Sequence, residues 1–329
     1  MKKTFLIDTG EIRRVLADEL RARRLSSAPG DFTNRRSGND VPLYGSTGAA
    51  NLHFELGLWP GETEERRAWG DRINSFQSEA GSFVSPSGRE HATATALAAL
   101  SLLGTRPARP VGGLAPLDAD RLPGWLAGLD WSGTHKDFWG GVTPVLASGL
   151  VDAGWREVLA REIGGRIDPR RPLEVWCAEA EEPWRVISCI YHVTSGFDAA
   201  WIPYPAPELI RERLFGLGYD RIRAGTKRTI CTDFDYAVIL DRLAHQRPEW
   251  FPEAHRLCRA VLADRVREWR ENQDGLLARA STHDLFCYTV GWAVYQRLLP
   301  ESFTGPALYD TLHAPWLYRL PDRSRLADS

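Results

Sequence analysis

The sequence predicts an all-α fold, an (α/α)6 toroid of six helical hairpins in a single domain that spans residues 1–329. The main observation is a periodic recurrence of apolar helical segments, which start near residues 47, 91, 135, 182, 233 and 283. Successive starts lie 44 to 51 residues apart, a step that accommodates two helices and two turns. Charge-rich amphipathic helices lie between these segments. The chain therefore alternates buried and solvent-facing helices, as a helical-repeat architecture requires.

The predicted inner helices are apolar or small on every face. The clearest is segment 91–104, HATATALAALSLLG, because a helix without a polar face is buried on all sides. The predicted outer helices are rich in arginine and glutamate, and they cover residues 11–24, 62–77, 153–163, 207–217 and 252–271. An open superhelical solenoid is the alternative. Six repeats and 13 tryptophans, whose large rings fill a core or line a cavity, favour the closed toroid.

Composition narrows the function classes. Lysine and arginine number 41 against 43 acidic residues, so the formal net charge is −2 and nothing favours a nucleic-acid partner. No stretch approaches the roughly 18 apolar residues of a membrane span, and the apolar run at residues 5–7 is too short for a signal peptide. The five cysteines are scattered without a C-x-x-C motif, which predicts a reduced, cytoplasmic protein. Because phosphate-loop, dinucleotide and H-E-x-x-H motifs are all missing, we expect no cofactor.

Ionisable side chains recur at the starts of the predicted inner helices. Threonine, a good N-cap, directly precedes His135, Asp233 and His283. In a closed toroid the first turns of the inner helices converge on one mouth. We therefore expect a site there that contains His91, His135, Asp137, Asp233, Asp235 and His283. An aspartate at a helix start can simply complement the helix dipole, but a histidine gains nothing there, so the histidines favour a site.

The two acids near residue 233 are the first candidates for acid catalysis. Asp233 and Asp235 are two residues apart in a first turn, so they do not lie on one face, and one would face the cavity while the other caps the helix. A cavity-facing carboxyl acts as an acid when apolar walls raise its pKa. The residues that we predict to be catalytic are Asp235, Asp233, Asp137, His135 and His283.

A further set of candidates is mainly aromatic. Segment 135–141, HKDFWGG, places ionisable and aromatic side chains beside two glycines, which let a ligand approach the backbone or let helices pack closely. A lone histidine late in a buried helix, such as His192, is more often a core residue. The side chains that we expect to contact a substrate are His91, Trp139, Tyr191, His192, Trp201, Tyr204, Tyr236 and Tyr288.

Two motifs indicate a resemblance to a known superfamily. Residues 77–83 read Q-x3-G-x-F, in which Gln77 can bond free backbone groups at a helix end, Gly81 permits a turn and Phe83 packs beneath. This motif resembles the Q-x3-G-[WF] repeat of the squalene–hopene cyclase and protein prenyltransferase superfamily, and segment 91–104 resembles its inner helix. The resemblance implies a terpene cyclase-like lyase or isomerase with a small hydrophobic isoprenoid substrate. Asp235 or Asp137 would then donate a proton, and aromatic rings would stabilise carbocations.

The acidic motif departs from both branches of that superfamily. Class II terpene cyclases carry D-x-D-D, of which Asp233-Phe-Asp235 retains two acids. The prenyltransferase zinc ligands, a D-x-C motif and a histidine on the next inner helix, correspond to Asp233, Asp235 and His283, with Cys231 as a substitute for the replaced cysteine. A divalent metal is therefore a secondary expectation. Two other functions stay open: a carbohydrate-active hydrolase or lyase on the same toroid, and a non-catalytic binding scaffold.

Overall fold

The structure is a computed structural model that describes residues 6–59, 61–85, 89–131, 136–167, 183–200, 202–217 and 230–311. This part of the chain contains twelve α-helices, three short 3-10 turns and two strands of two residues each. The predicted all-α class is confirmed. No helix in these ranges is both long enough and apolar enough to cross a membrane.

The helices alternate between an inner and an outer kind, in agreement with the sequence pattern. The inner helices are α2 (Leu43–Glu55), α4 (Arg89–Leu102), α6 (Lys136–Ala147), α8 (Pro183–Ala199), α10 (Ile230–Gln246) and α12 (Thr282–Leu298). The outer helices are α1 (Thr9–Ala22), α3 (Thr63–Asn74), α5 (Leu122–Ala127), α7 (Ala153–Ile167), α9 (Pro207–Leu217) and α11 (Phe251–Arg279). Each outer helix precedes one inner helix, which gives six consecutive pairs within the described chain.

Burial separates the two kinds of helix. Along α12, 13 of 17 residues are buried, because its apolar and small side chains leave no polar face. By contrast, α3 buries only Trp69, Gly70 and Ile73, and its arginines and glutamates point outward. The last outer helix, α11, is kinked at Asn272, close to the predicted end of this helix at residue 271.

The inner helices contact one another in cyclic order. Helix α2 packs against α4, α4 against α6, α6 against α8, α8 against α10, α10 against α12, and α12 against α2. The last of these contacts is close, because a Cβ atom at Gly48 of α2 would lie 3.0 Å from the carbonyl carbon of Thr282. A side chain at position 48 would crowd the backbone of α12, so glycine favours the close approach of the last and first inner helices.

Segments near the two ends of the described chain also contact each other. Strand β1 (Ile7–Asp8) pairs in parallel with β2 (Phe303–Thr304). Arg23 directly follows the last residue of α1. Its buried guanidinium donates hydrogen bonds to the carbonyl oxygens of Leu277 and Ala280 at 2.9 Å. These contacts fix the first outer helix against the start of α12.

The Q-x3-G-x-F segment has the physical role that we predicted for it. Gln77 Nε2 donates to the carbonyl oxygens of Gly81 and Arg109, and Gln77 Oε1 accepts from the Arg109 amide at 2.9 Å. Gly81 adopts φ +81°, in the left-handed region that favours glycine. Phe83 is fully buried, and its amide donates to Thr93 Oγ1 of α4 at 3.0 Å. The motif thus ties outer helix α3 to inner helix α4.

The sequence predicts that the cysteines are reduced, and this prediction is wrong for Cys189. Cys231, Cys258 and Cys287 are free thiols, but Cys189 is disulfide-bonded, so the chain is not wholly reduced.

Candidate active site at the inner-helix starts

His91, in the first turn of α4, lies at the centre of a cluster drawn from five inner helices. Its ring centroid is 5.0 Å from that of Trp139 on α6, 5.4 Å from that of His283 on α12 and 6.3 Å from that of His192 on α8. The Tyr44 ring on α2 is 5.6 Å away. The structure therefore brings together three of the histidines that the sequence analysis selected.

The Tyr44 hydroxyl forms a short hydrogen bond with His91 Nδ1. Burial lowers the pKa of His91 well below its usual value, and the nearby His283 and Lys136 act in the same direction. The His91 ring is therefore neutral at pH 7, so Nδ1 can accept a hydrogen bond from the Tyr44 hydroxyl. Tyr44 also lies 5.4 Å from the His283 ring, so it contacts both histidines.

The start of α6 contributes a positive charge to this cluster. The charge of Lys136 lowers the pKa values of His91, His283 and Asp235. Asp137 follows Lys136 in the same first turn and is partly buried, and Trp139 is buried against His91 and His192. The part of the HKDFWGG segment from Lys136 to Trp139 therefore lies at the site. His135 is outside the described residues.

The two acids of α10 occupy different environments. Asp233 Oδ2 lies 2.5 Å from Nε of Arg265 on outer helix α11, so Asp233 is an ion-pair partner. Asp235 is only 4% exposed, and its carboxyl has no hydrogen bond to another residue that the structure describes. Burial raises the pKa of Asp235 well above its usual value, and Asp233 adds to this rise while Lys136 opposes it. The surroundings of Asp235 therefore favour the uncharged form of its carboxyl group.

Two thiols lie beside His283. Cys231 on α10 and His283 and Cys287 on α12 place their sulfur and ring nitrogen atoms within 4.8 Å of one another. His283 Nε2 is 3.8 Å from Cys287 Sγ, and His283 Nδ1 is buried without a hydrogen-bond partner among the described residues. Burial lowers the pKa of His283 and raises that of Cys287, so the uncharged forms of both groups are favoured.

Tyr191 borders the cluster, because its ring is 5.6 Å from His192 and 5.2 Å from Phe234. His192 Nδ1 donates to the Ser188 carbonyl oxygen at 2.7 Å, one turn earlier in α8. This bond leaves Nε2 as the unprotonated ring nitrogen of a neutral His192.

The remaining tyrosines lie away from His91. Tyr204 donates to Asp198 Oδ2 at 2.6 Å near the carboxyl end of α8, and its backbone pairs with Gln246 at the end of α10. The Tyr236 hydroxyl is buried toward Cys258 of α11, and burial raises its pKa. Tyr288 stacks on Trp269 with a centroid separation of 5.5 Å. Trp201, the other predicted contact, is outside the described residues.

A small cavity adjoins the cluster between α10, α11 and α12. Its empty volume is about 210 Å³, open solvent included, below the roughly 300–1,000 Å³ of ligand pockets. The lining residues are Asp233, Phe234, Arg265, Cys287, Tyr288, Gly291, Trp292 and Tyr295. We centre the candidate site on His91, where ionisable and aromatic side chains from five inner helices meet.

The sequence analysis missed Tyr44 and Cys287. Tyr44 was overlooked because we expected α2 to start near residue 47, whereas it begins at Leu43. A search for H-x3-C would have found Cys287, since residues four apart share one face of a helix. No family model, curated protein or solved structure matches the chain. The superfamily resemblance therefore depends on the motifs alone.

Proposed function

We propose that the chain is an enzyme built on a closed (α/α)6 toroid, in which Asp235 donates the proton that starts a reaction on an isoprenoid. The cyclic contacts of the six inner helices support the toroid. The cluster around His91 supports an active site at the inner-helix starts, because residues far apart in sequence meet there.

The observation that carries the proposal is the difference between the two acids of α10. Arg265 holds Asp233 in an ion pair, whereas Asp235 is buried without a hydrogen bond to the rest of the described chain. Two neighbouring carboxyls with contrasting environments are a common arrangement for separating an acid from an ionised group. A buried carboxyl that retains its proton at neutral pH is suited to general-acid catalysis.

Aromatic side chains support the choice of substrate. Tyr44, Trp139 and Tyr191 are buried around the histidines, and the faces of such rings attract cations by cation–π interaction. A carbocation formed by protonation of a carbon–carbon double bond would be stabilised in these surroundings. In the proposed reaction Asp235 transfers its proton to one alkene carbon. The resulting carbocation then loses a proton to form a new alkene, or adds water and releases a proton to form an alcohol.

The carbohydrate alternative has less support. Glycoside hydrolases act with two carboxyl groups that flank the scissile bond. At the start of α10 the second carboxyl, that of Asp233, is engaged with Arg265. A non-catalytic binding scaffold requires no proton donor. The following experiment distinguishes such a scaffold from an enzyme.

We would incubate the purified chain in deuterium oxide with a panel of linear isoprenoid hydrocarbons, alcohols and diphosphates, and analyse products by mass spectrometry. We expect isomerised or hydrated products with one solvent deuterium on carbon. The Asp235→Asn variant should lose this activity by at least about 100-fold, the lower range of general-acid contributions. Products without carbon-bound deuterium, full activity in Asp235→Asn, or no product from any isoprenoid would contradict the proposal.

A further inference from the structure

We propose that Cys231, His283 and Cys287 form a zinc-binding site at the starts of α10 and α12. This inference goes beyond the proposed function, because it requires neither an isoprenoid substrate nor the carboxyl of Asp235. It rests on the geometry of three side chains that could each give one ligand atom.

The ligand atoms are already close to the required spacing. In a tetrahedral zinc site with Zn–S near 2.3 Å and Zn–N near 2.0–2.1 Å, neighbouring ligand atoms lie about 3.6–3.8 Å apart. His283 Nε2 and Cys287 Sγ are 3.8 Å apart, and all three ligand atoms lie within 4.8 Å of one another. A separation of up to 4.8 Å would therefore have to shorten by about 1 Å at most to reach this spacing.

The backbone holds these side chains in place. His283 and Cys287 are four residues apart on α12, so they lie one turn apart on the same face. Cys231 is the second residue of α10, the inner helix that packs against α12. Ligands on rigid helices are positioned more accurately than ligands on loops.

Each of the three groups has an atom that a metal could bind. Cys231 and Cys287 are free thiols, and His283 directs Nε2 toward Cys287 Sγ at 3.8 Å. Cys231 and His283 are partly exposed while Cys287 is buried, so an ion can reach the site from the mouth of the helix ring.

A carboxylate lies directly behind these groups. Asp284 Oδ1 is 3.9 Å from Cys231 Sγ, while Asp284 Oδ2 accepts hydrogen bonds from the amide and hydroxyl of Ser281 at 2.8 and 2.7 Å. The capping box at the start of α12 thus fixes this carboxylate. Because a thiolate has no proton to donate, the Cys231–Asp284 contact belongs to the metal-free thiol and would be lost when zinc binds.

The donor set selects the metal. Two thiolates and an imidazole favour zinc over magnesium or calcium, which prefer oxygen ligands. Three protein ligands also leave a fourth position open, which is typical of catalytic rather than structural zinc. Two thiolates neutralise the charge of Zn²⁺, so a bound ion adds no net charge near Asp235.

These ligands differ from those that the resemblance implies. Asp233 is bound to Arg265 and is not free to coordinate, and a set of two carboxylates with one histidine suits a harder ion. The Asp233, Asp235 and His283 set therefore does not fit zinc. His283 is shared by the two sets, and so is Cys231 where it substitutes for the replaced cysteine, whereas Cys287 belongs only to the set that we propose.

The test is metal binding by the full chain, without substrate. We would titrate the reduced apoprotein with Co²⁺ and monitor the absorption spectrum. We would also load it with Zn²⁺ and measure the bound metal by elemental analysis after gel filtration. We expect about one Zn²⁺ per chain, and a Co²⁺ complex with thiolate charge-transfer bands and intense tetrahedral d–d bands. Cys231→Ser, His283→Ala and Cys287→Ser should each lose stoichiometric binding.

Cys258→Ser is the matched control, because Cys258 is a free, buried thiol on α11 outside the cluster. It should retain both metals, as should Asp235→Asn, so failure of the acid proposal would leave the zinc result unchanged. A wild-type chain that binds no Zn²⁺ at micromolar concentration, or a Co²⁺ complex without thiolate bands, overturns the inference even if a ligand variant fails to fold. Retention of metal by the three ligand variants would also overturn it.

Discussion

The carboxylate of Asp233 lies 2.5 Å from the Arg265 guanidinium, and this ion pair joins the start of inner helix α10 to outer helix α11. Both side chains are at least 90% buried. The Tyr295 hydroxyl also donates to the Asp233 carbonyl oxygen at 3.2 Å, so the same residue contacts α12. Asp233 therefore holds three helices together, whatever its part in catalysis.

We expect Asp233→Ala to lower the free energy of unfolding by about 1–3 kcal/mol, because the buried Arg265 guanidinium then keeps only Glu268 as an ion-pair partner. Urea unfolding followed by circular dichroism would measure the loss. The double variant Asp233→Ala/Arg265→Ala should lose less than the sum of the single variants. A loss below about 1 kcal/mol for Asp233→Ala would show that the pair behaves like an exposed ion pair.

Gly81 and Gly104 form a matched pair for testing the Q-x3-G-x-F turn. Both have positive φ, but a Cβ at Gly81 would lie 1.8 Å from the Pro110 carbonyl oxygen, whereas Gly104 faces open space. Gly104→Ala should be destabilised by about 1–2 kcal/mol from backbone strain alone. Gly81→Ala should be destabilised by a further 1–3 kcal/mol or so from the clash. Equal losses in thermal and urea unfolding would contradict this explanation.

Glu55, at the end of α2, is fully buried and accepts a hydrogen bond from the Thr311 hydroxyl at 2.6 Å. Burial raises the pKa of Glu55 well above 4.5, so its contribution to stability is complete below about pH 4.5 and is lost as pH rises toward the folded-state pKa. Glu55→Gln keeps the acceptor oxygen without the charge. The variant should therefore melt at a higher temperature than the wild type at pH 7 but not at pH 4.

Glu62→Gln, an exposed substitution before α3, is the control for this comparison. The melting temperatures of Glu62→Gln and of the wild type should be nearly equal at both pH 4 and pH 7. A Glu55→Gln variant that melts below the wild type at pH 7 would show that Glu55 is ionised in the folded protein.

His245 and Asp241 form an ion pair one turn apart near the end of α10, with Nδ1 3.1 Å from Oδ1. The hydrogen bond to Asp241 raises the pKa of His245 above 6.5. Its stabilising contribution is therefore complete below about pH 6.5 and is lost as pH rises through the folded-state pKa. His245→Gln should reduce the fall in melting temperature between pH 6 and pH 8. An identical fall in both proteins would exclude this contribution.

The starts of the helices were predictable where the local sequence of apolar and polar side chains marks them. The start of α4 near His91 and that of α12 near His283 were predicted within two residues, because their apolar runs begin abruptly after polar loops. The start of α2 was predicted four residues late, since Gly45, Thr47 and Gly48 obscure the apolar period. Outer helix α5 was not predicted, because six residues in a proline- and glycine-rich region give too short a pattern.

The site was only partly predictable, for a different physical reason. Helix-start positions identify residues that come together at the starts of the inner helices, and the rings of His91 and His283 do meet. The rotation of each helix about its axis is set by tertiary packing, which a single sequence does not encode locally. For this reason Tyr236 and Tyr288, predicted to contact substrate, lie toward outer helix α11 instead. Cys231 and Cys287 come together only because two helices pack side by side.

The contact between α12 and α2 gives every inner helix two neighbours. In a linear repeat protein an end unit can be removed, and the remaining units keep their interfaces. In the closed toroid that we propose, the loss of any one helix pair would expose the flanks of two others. We therefore expect such a fold to tolerate substitutions and insertions in surface loops more readily than a change in the number of helix pairs.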